Sequence, residues 1–409
     1  LAPVRTLLRD ADAEVRAQAS KILGDAGDTS SADALIAALK DSAPRVKFFA
    51  AQSLGKLNHA AAAPALIAAL RANNDQDEYL RHALVLGLVG GHNVTALTAA
   101  MASDSRAVRL GLVLTFRRLQ NPTIAKFLND ADPFIVREAA LAINDAPIVA
   151  GYPALAALIT QPLTDEAILF RVLNAHFRLG QPANAAALAA YAANVAAPAK
   201  LRGEAIAQLA NWPTPPARDR VVGLFRPLTP ATRPAADAAA ALTPLLAGLL
   251  NTTTPTIIQT AVLNAIDSLE IKSAADTLFA VLKDPNQPSA NRAAALRALD
   301  KLKDPRIPEA VKIASDLNAP LMRQAALPIS ARLSPEAAAP VLANLIAKGT
   351  PSEQKTAYRA LGTLQHPSAA TVLATQLSAL AEGKVPAAVQ LDLLNAAALR
   401  HEPAIKTLL

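Results

Sequence analysis

The chain holds six histidines, His59, His82, His92, His176, His366 and His401, and no cysteine. A helical metal site needs imidazoles three or four residues apart so that one face presents both, and none of these six is so placed. Without cysteine, a thiolate metal centre, a Cys nucleophile, a disulfide framework and haem attachment through Cys-x-x-Cys-His are all excluded from these 409 residues. A serine hydrolase needs a Gly-x-Ser-x-Gly elbow, and a dinucleotide site needs Gly-x-Gly-x-x-Gly; neither occurs, and Gly90-Gly91 alone reads as a turn. The pairs Asp75/Asp77 and Asp130/Asp132 have the residue types for acid–base work. They fall, however, in short stretches ahead of apolar phrases, where aspartate accepts backbone N–H bonds at a helix start. The residues predict no enzyme and no cofactor.

Charge is the other chemical handle. The formal net charge is +7, modest for this length. Between Ser105 and Asn129, Arg106, Arg109, Arg117, Arg118 and Lys126 occur without an acid. One reading is a positive patch for an acidic protein surface, a phosphate backbone or an anionic lipid. The other is a set of arginine stems packed along alanine helices. At 3% aromatic, the chain has few rings on which bases could stack, which argues against nucleic acid.

The elements that must position these residues are helices. Hydrophobic residues make up 52% of the chain, mostly alanine and leucine, which stand near the top of the helix scale. Asp10–Gly27 (DADAEVRAQASKILGDAG) aligns with Asp41–Asn58 (DSAPRVKFFAAQSLGKLN): an Asp, five residues, Arg or Lys, a small-residue helix, then Leu-Gly. The basic slot moves 31 positions from Arg16 to Lys47, then recurs at Arg81, Arg109, Arg137, Arg171 and Arg202. It returns more loosely at Gln259, Arg292, Arg323 and Lys355. A second helical phrase lies between, as in ADALIAALK at Ala32 and APALIAALR at Ala63. In the first unit Val15, Ala19, Ile22 and Leu23 form the predicted apolar stripe. A pair of short helices cannot bury its apolar face alone, so about a dozen such hairpins must stack.

Asn211 to Pro234 carries six prolines, which restricts it to loops around at most one short helix near Val221 to Phe225. The expected organisation is an array over 1–210, an irregular insertion over 211–234 with the lone Trp212 at its start, and a second array over 235–409. Ala238 to Leu250, the longest apolar run, is too short to span a bilayer. LAPVRTLLRD reads as the later part of a helix, as expected of a processed protein or a piece of a larger one. The lack of cysteine suits an extracytoplasmic or periplasmic setting, and equally suits compositional drift, so a cytoplasmic location stays open.

The Asp–x5–Arg pairs followed by Leu-Gly resemble the HEAT repeat, and more narrowly the HEAT-like repeats of phycobilin lyases. The resemblance implies an all-α, right-handed α-solenoid in which Asp and Arg form a ladder joining successive repeats. The ladder residues are Asp10, Arg16, Asp41, Lys47, Asp75, Arg81, Arg109, Arg137, Asp165 and Arg171. The pattern departs at Arg202, and at Arg292 and Arg323, where the acid is displaced to Asp284 and Asp316. Asn129 to Ile148 resembles HEAT segments of large bacterial secreted proteins that also carry a dehydrogenase-like propeller and a c-type haem domain. Together these imply a non-catalytic scaffold that docks a protein partner or neighbouring domains. The alternatives are the arm of a redox or lyase assembly whose cofactor lies elsewhere, and electrostatic binding of nucleic acid.

Overall fold

A computed structural model describes residues 1–316 and 319–409. The described residues are helical, and their single β feature is a bridge between Arg218 and Phe225. They form two compact units, Leu1–Ala187 with Pro216–Leu228, and Leu188–Pro215 with Thr229–Leu409. The proline-rich stretch is thus divided between the two.

In the first unit, long helices recur at Ala13–Asp25, Pro44–Lys56, Glu78–Gly91, Arg106–Arg118, Pro133–Asp145 and Glu166–Leu179. Each packs on the next. Shorter helices such as Ala32–Ala38, Ala63–Asn73 and Tyr152–Ala157 form the second layer, with a 3-10 stretch at Pro122–Asn129. Leu23, Leu35, Leu54, Leu66, Leu84, Leu97, Leu112 and Phe116 are fully buried between the layers. Burial of each leucine contributes roughly 1.5–3 kcal/mol relative to exposure.

The apolar stripe of the first helix is narrower than expected. Ala19 and Leu23 are buried, but Ile22 is 45% exposed. Ala17, Ser20 and Gly24 are buried instead, because the helix must also abut the next long helix: Ser53 Oγ donates to Ser20 O at 2.8 Å. Gly90 and Gly91 are not a turn but the end of a long helix, and Gly90 lies directly against the backbone of Gly55. That close approach admits no side chain.

The turn aspartates divide their work. Asp12, Asp77, Asp132 and Asp165 cap helices by accepting backbone N–H bonds from the first turn. The aspartate two residues earlier, or its equivalent, accepts the next N–H of the turn (Asp10 from Asp12, Asp41 from Ala43, Asp130 from Asp132, each 2.8 Å) and is left free to take an arginine.

The arginine comes from the preceding repeat. Arg16 clasps Asp41 in a bidentate pair (2.8 and 2.9 Å), and also donates to its own turn's carbonyls at Asp10 and Ala11. Its guanidinium holds the Asp41 carboxyl below its ordinary pKa. Arg109 pairs with Asp130 at 2.9 Å and Arg137 with Asp165 at 3.3 Å. Three rungs differ. Arg81 pairs with Asp75 inside its own repeat. Lys47 reaches no carboxylate among the described residues. Arg171 turns back to Asp145 at 2.8 and 3.0 Å.

His176 lies buried in the same unit. Its Nε2 donates to Ala156 O (3.0 Å), and its Nδ1 accepts from the Asn184 side-chain amide (3.0 Å), whose oxygen is engaged by Gln181 N–H. Burial lowers the pKa of this imidazole, against a smaller rise from the Ala156 bond. A proton on Nδ1 would face the Asn184 NH2 group. The unfolded chain therefore binds the proton more readily, so stability is full above the ordinary value near 6.5 and falls as pH drops below it. Urea midpoints measured between neutral and mildly acidic pH should show this decline, and His176→Gln should flatten it. An equally steep decline in the variant would exclude His176 as the cause.

In the second unit the ladder changes chemistry. Helices Ala199–Ala210, Thr256–Leu269, Ser289–Lys301 and Ala387–Ala398 start after Pro198, Pro255, Pro288 and Pro386, which bring no acid to the turn. The slot residue donates to a carbonyl of the preceding segment instead: Arg202 to Ala192 O (2.7 Å), Gln259 to Asn251 O (2.6 Å), Arg292 to Leu282 O (2.8 Å). Buried amides add cross-repeat bonds, Asn291 to Gln259 at 2.6 Å and Gln287 to Leu250 O at 2.7 Å. Asp284 accepts the N–H of Asn286 in its own turn rather than Arg292. Arg323 pairs with Glu353 at 2.9 Å; the side chain of Asp316 lies outside the described residues. Trp212 is fully buried under Arg233, whose guanidinium carbon stands 4.7 Å from the ring centroid.

Candidate functional site

The five basic residues of 105–129 separate into two sets. Arg109 is a ladder rung on Asp130, and Arg106 pairs with Asp132 at 3.0 Å while lying over Phe134, 4.4 Å from the ring centroid. Arg117, Arg118 and Lys126 are exposed and have no carboxylate partner among the described residues. The helix Arg106–Arg118 buries Val108, Leu112, Thr115 and Phe116 and so turns its last two arginines outward. Positive charge in a final helical turn also suits the macrodipole.

Arg118 lines an open groove of about 500 Å³ with Glu78, Tyr79, Arg81, His82, Val85 and Leu114. Helical spacing explains the set. Tyr79, His82 and Val85 succeed one another at i+3 on Glu78–Gly91, and Leu114 and Arg118 are i, i+4 on the neighbouring helix. Tyr79 is 72% exposed. Sequence reasoning found Arg118 through its charge but missed Tyr79 and His82. The available signal was a large aromatic ring at an outward position of the helix, beside Glu78 and ahead of the buried Leu80.

The second feature missed in the sequence is the strap Pro216–Leu228. It contains no helix; it is a turn closed by Asp219 N–H to Leu224 O (2.8 Å) and by the Arg218–Phe225 bridge. Asp219 is its root. One carboxylate oxygen accepts the N–H groups of Val221 (2.9 Å) and Val222 (3.0 Å), and the other accepts Asn174 Nδ2 and Arg178 Nη1, each at 3.1 Å. Burial alone would raise the carboxyl pKa, but the bonds from Val222, Asn174 and Val221 and the Arg178 charge hold it below the usual range. Arg226 fastens the far end by donating to the carbonyls of Asn144 (3.2 Å) and Asp145 (2.6 Å). The turn so held carries Leu224, 54% exposed, and Phe225, 72% exposed.

Among the described residues no three His, Asp or Glu side chains come together as a metal-binding group, and no helix is long and apolar enough to cross a membrane. The family described as HEAT repeats matches residues 1–89. No curated protein matches the chain. Among solved structures it is similar to importin beta, at a TM-score of 0.52 and 12% identity, over 100% of this chain and 65% of that one. It also aligns with the complex of CpcE and CpcF of phycocyanin lyase from Nostoc sp., at a TM-score of 0.25 and 23% identity, over 51% of this chain and 86% of that one. An engineered protein aligns at 0.35 and 17%, over 89% and 98%. The importin likeness is one of fold, and the two lower scores add nothing to it. None of these matches carries the propeller and haem resemblance of Asn129 to Ile148. Paired helices, capped turns and cross-repeat rungs run through the first unit, and the second unit repeats the arrangement with amides and carbonyls: the described residues have the helical-repeat fold, and residues 1–89 match the family of HEAT repeats.

Proposed function

We propose that this chain is a non-catalytic docking module for a protein partner or a neighbouring domain. The observation that carries this reading is the strap. A loop of no consequence has no reason to hold a phenylalanine 72% exposed above a buried aspartate that makes four hydrogen bonds. Aromatic anchors fixed in advance lose little freedom on association, which is why they dominate interface energetics. The grooved outer face of the long helices offers further surface beside it. The cysteine-free composition suits an extracytoplasmic setting for this role. Affinity capture with wild type and with a Leu224→Ser/Phe225→Ser double variant tests the reading. The expected result is a partner held by wild type and lost by the variant, with identical far-ultraviolet circular dichroism. Equal capture by both removes the strap from the docking surface.

A further inference from the structure

Two aromatic rings on long helices of the first unit are covered by cations that are themselves paired. Phe49 lies beneath Arg45 (5.2 Å to the centroid), which is bonded to Glu14 at 2.8 Å. Phe134 lies beneath Arg106, bonded to Asp132 at 3.0 Å. Each of these rings is covered by a cation, and each cation is neutralised by an acid. Between them in the sequence, Tyr79 has no cation over it among the described residues, and Arg118, in the same groove, has no acid. Arg117 adjoins it, equally exposed and unpaired. Arg81 holds Asp75, and Glu78 and Arg118 lie in the first and last turns of their helices, where each meets the favourable end of a dipole. What remains open is one ring face and an arginine fork that no carboxylate among the described residues pairs.

We infer that the groove between Glu78–Gly91 and Arg106–Arg118 takes an acidic segment of a protein partner, with carboxylates on Arg118 and Arg117 and apolar side chains against Tyr79 and Leu114. Arginine forks match carboxylates bidentately, which gives the groove a preference beyond charge alone. A single ring offers no succession of platforms for stacked bases, so a protein segment fits better than a single-stranded nucleic acid. The inference rests on the docking reading, and the two can fail separately, since the strap is tested by capture of a partner and the groove with purified components.

The test is fluorescence anisotropy of the whole chain with three labelled probes: an alternating Glu–Ala peptide, the matching Lys–Ala peptide and oligouridylate. The Glu–Ala peptide should bind, weaken with added salt, and lose about fivefold in affinity on Arg118→Ala. Arg118→Glu should reverse the preference toward the Lys–Ala peptide. Tyr79→Ala should weaken binding about threefold through lost packing. Arg45→Ala, on the same face but outside the groove, should change nothing. All three residues are exposed, and unaltered circular dichroism confirms the fold of each variant. The inference is overturned by no binding of the Glu–Ala peptide, by equal losses in Arg118→Ala and Arg45→Ala, or by tighter binding of oligouridylate.

Discussion

Replacement of Gly90 by alanine should destabilise the first unit by about 2 kcal/mol, although alanine is the better helix former. Gly90 ends the helix Glu78–Gly91 where it crosses Pro44–Lys56, and the nearest atoms to a Cβ built there are the backbone atoms of Gly55. Gly55 is also closed to a side chain, since a Cβ there would stand 2.7 Å from Leu86 O, again a backbone atom of the facing helix. Backbone cannot rotate aside as a side-chain end can, so the two helices must part. Parting them loosens Leu54, Leu84 and Leu88, all buried at that seam. Overpacking of this kind costs roughly 1–3 kcal/mol, and the propensity gain of about 0.5–1 kcal/mol does not offset it. Gly203, inside Ala199–Ala210, is the contrasting case: a Cβ there would meet only Ile257 Cγ1 at an ordinary 3.8 Å. Gly203→Ala should stabilise by about 0.5–1 kcal/mol. Urea denaturation of the three proteins decides the matter. A Gly90→Ala midpoint at or above wild type would mean that the helices have slack.

These glycines also mark what the sequence made legible. Leu-Gly following a small-residue helix signalled close-packed hairpins, because the need for a bare backbone recurs wherever long helices cross. The Asp–x5–Arg spacing located the rungs but not their partners. Asp10 and Arg16 flank one turn and look like a pair, whereas Arg16 actually spans to Asp41, one repeat on. Spacing along a chain cannot distinguish a bond within a turn from one between turns when every turn carries the same residues. Among the five basic residues of 105–129, the repeat spacing set Arg109 apart as a ladder residue, but nothing local separated Arg106, neutralised by Asp132, from Arg117 and Arg118. The strap was illegible for a different reason. It follows no period, and its partners Asn174, Arg178, Asn144 and Asp145 lie 41 to 82 residues away. The prolines revealed that helices stop there, and nothing local revealed that the segment docks back.

The strap carries the second large effect. Asp219→Ala leaves the Val221 and Val222 N–H groups without their acceptor and leaves Arg178 and Asn174 facing an apolar methyl group. The Asp219 side chain is 1% exposed and that of Arg178 12%, so water does not replace the lost carboxylate in the folded state. Removing one partner of such a buried pair costs roughly 3–5 kcal/mol. The loss should appear first as release of Pro216–Leu228, because the helices beneath keep their own core around Leu155, Val172 and Ala175. Arg218 and Arg220 supply tryptic sites within the strap, whereas Arg226 precedes Pro227 and is not cut, so the strap's open population is read directly as cleavage rate at the first two. At the lower end of that range, cleavage should accelerate about 100-fold. Asp219→Asn should fall between, since its oxygen can still accept from the turn while its NH2 group meets the donors of Arg178 and Asn174. Acid should mimic the substitution in wild type. With its pKa held low in the folded chain, Asp219 stabilises the strap fully above the ordinary carboxylate value near 3.9 and ceases to as pH falls through the lowered one. Unchanged cleavage in Asp219→Ala would mean that Arg226, bound to the Asn144 and Asp145 carbonyls, holds the strap by itself, and an Arg226→Ala partner variant would then release it.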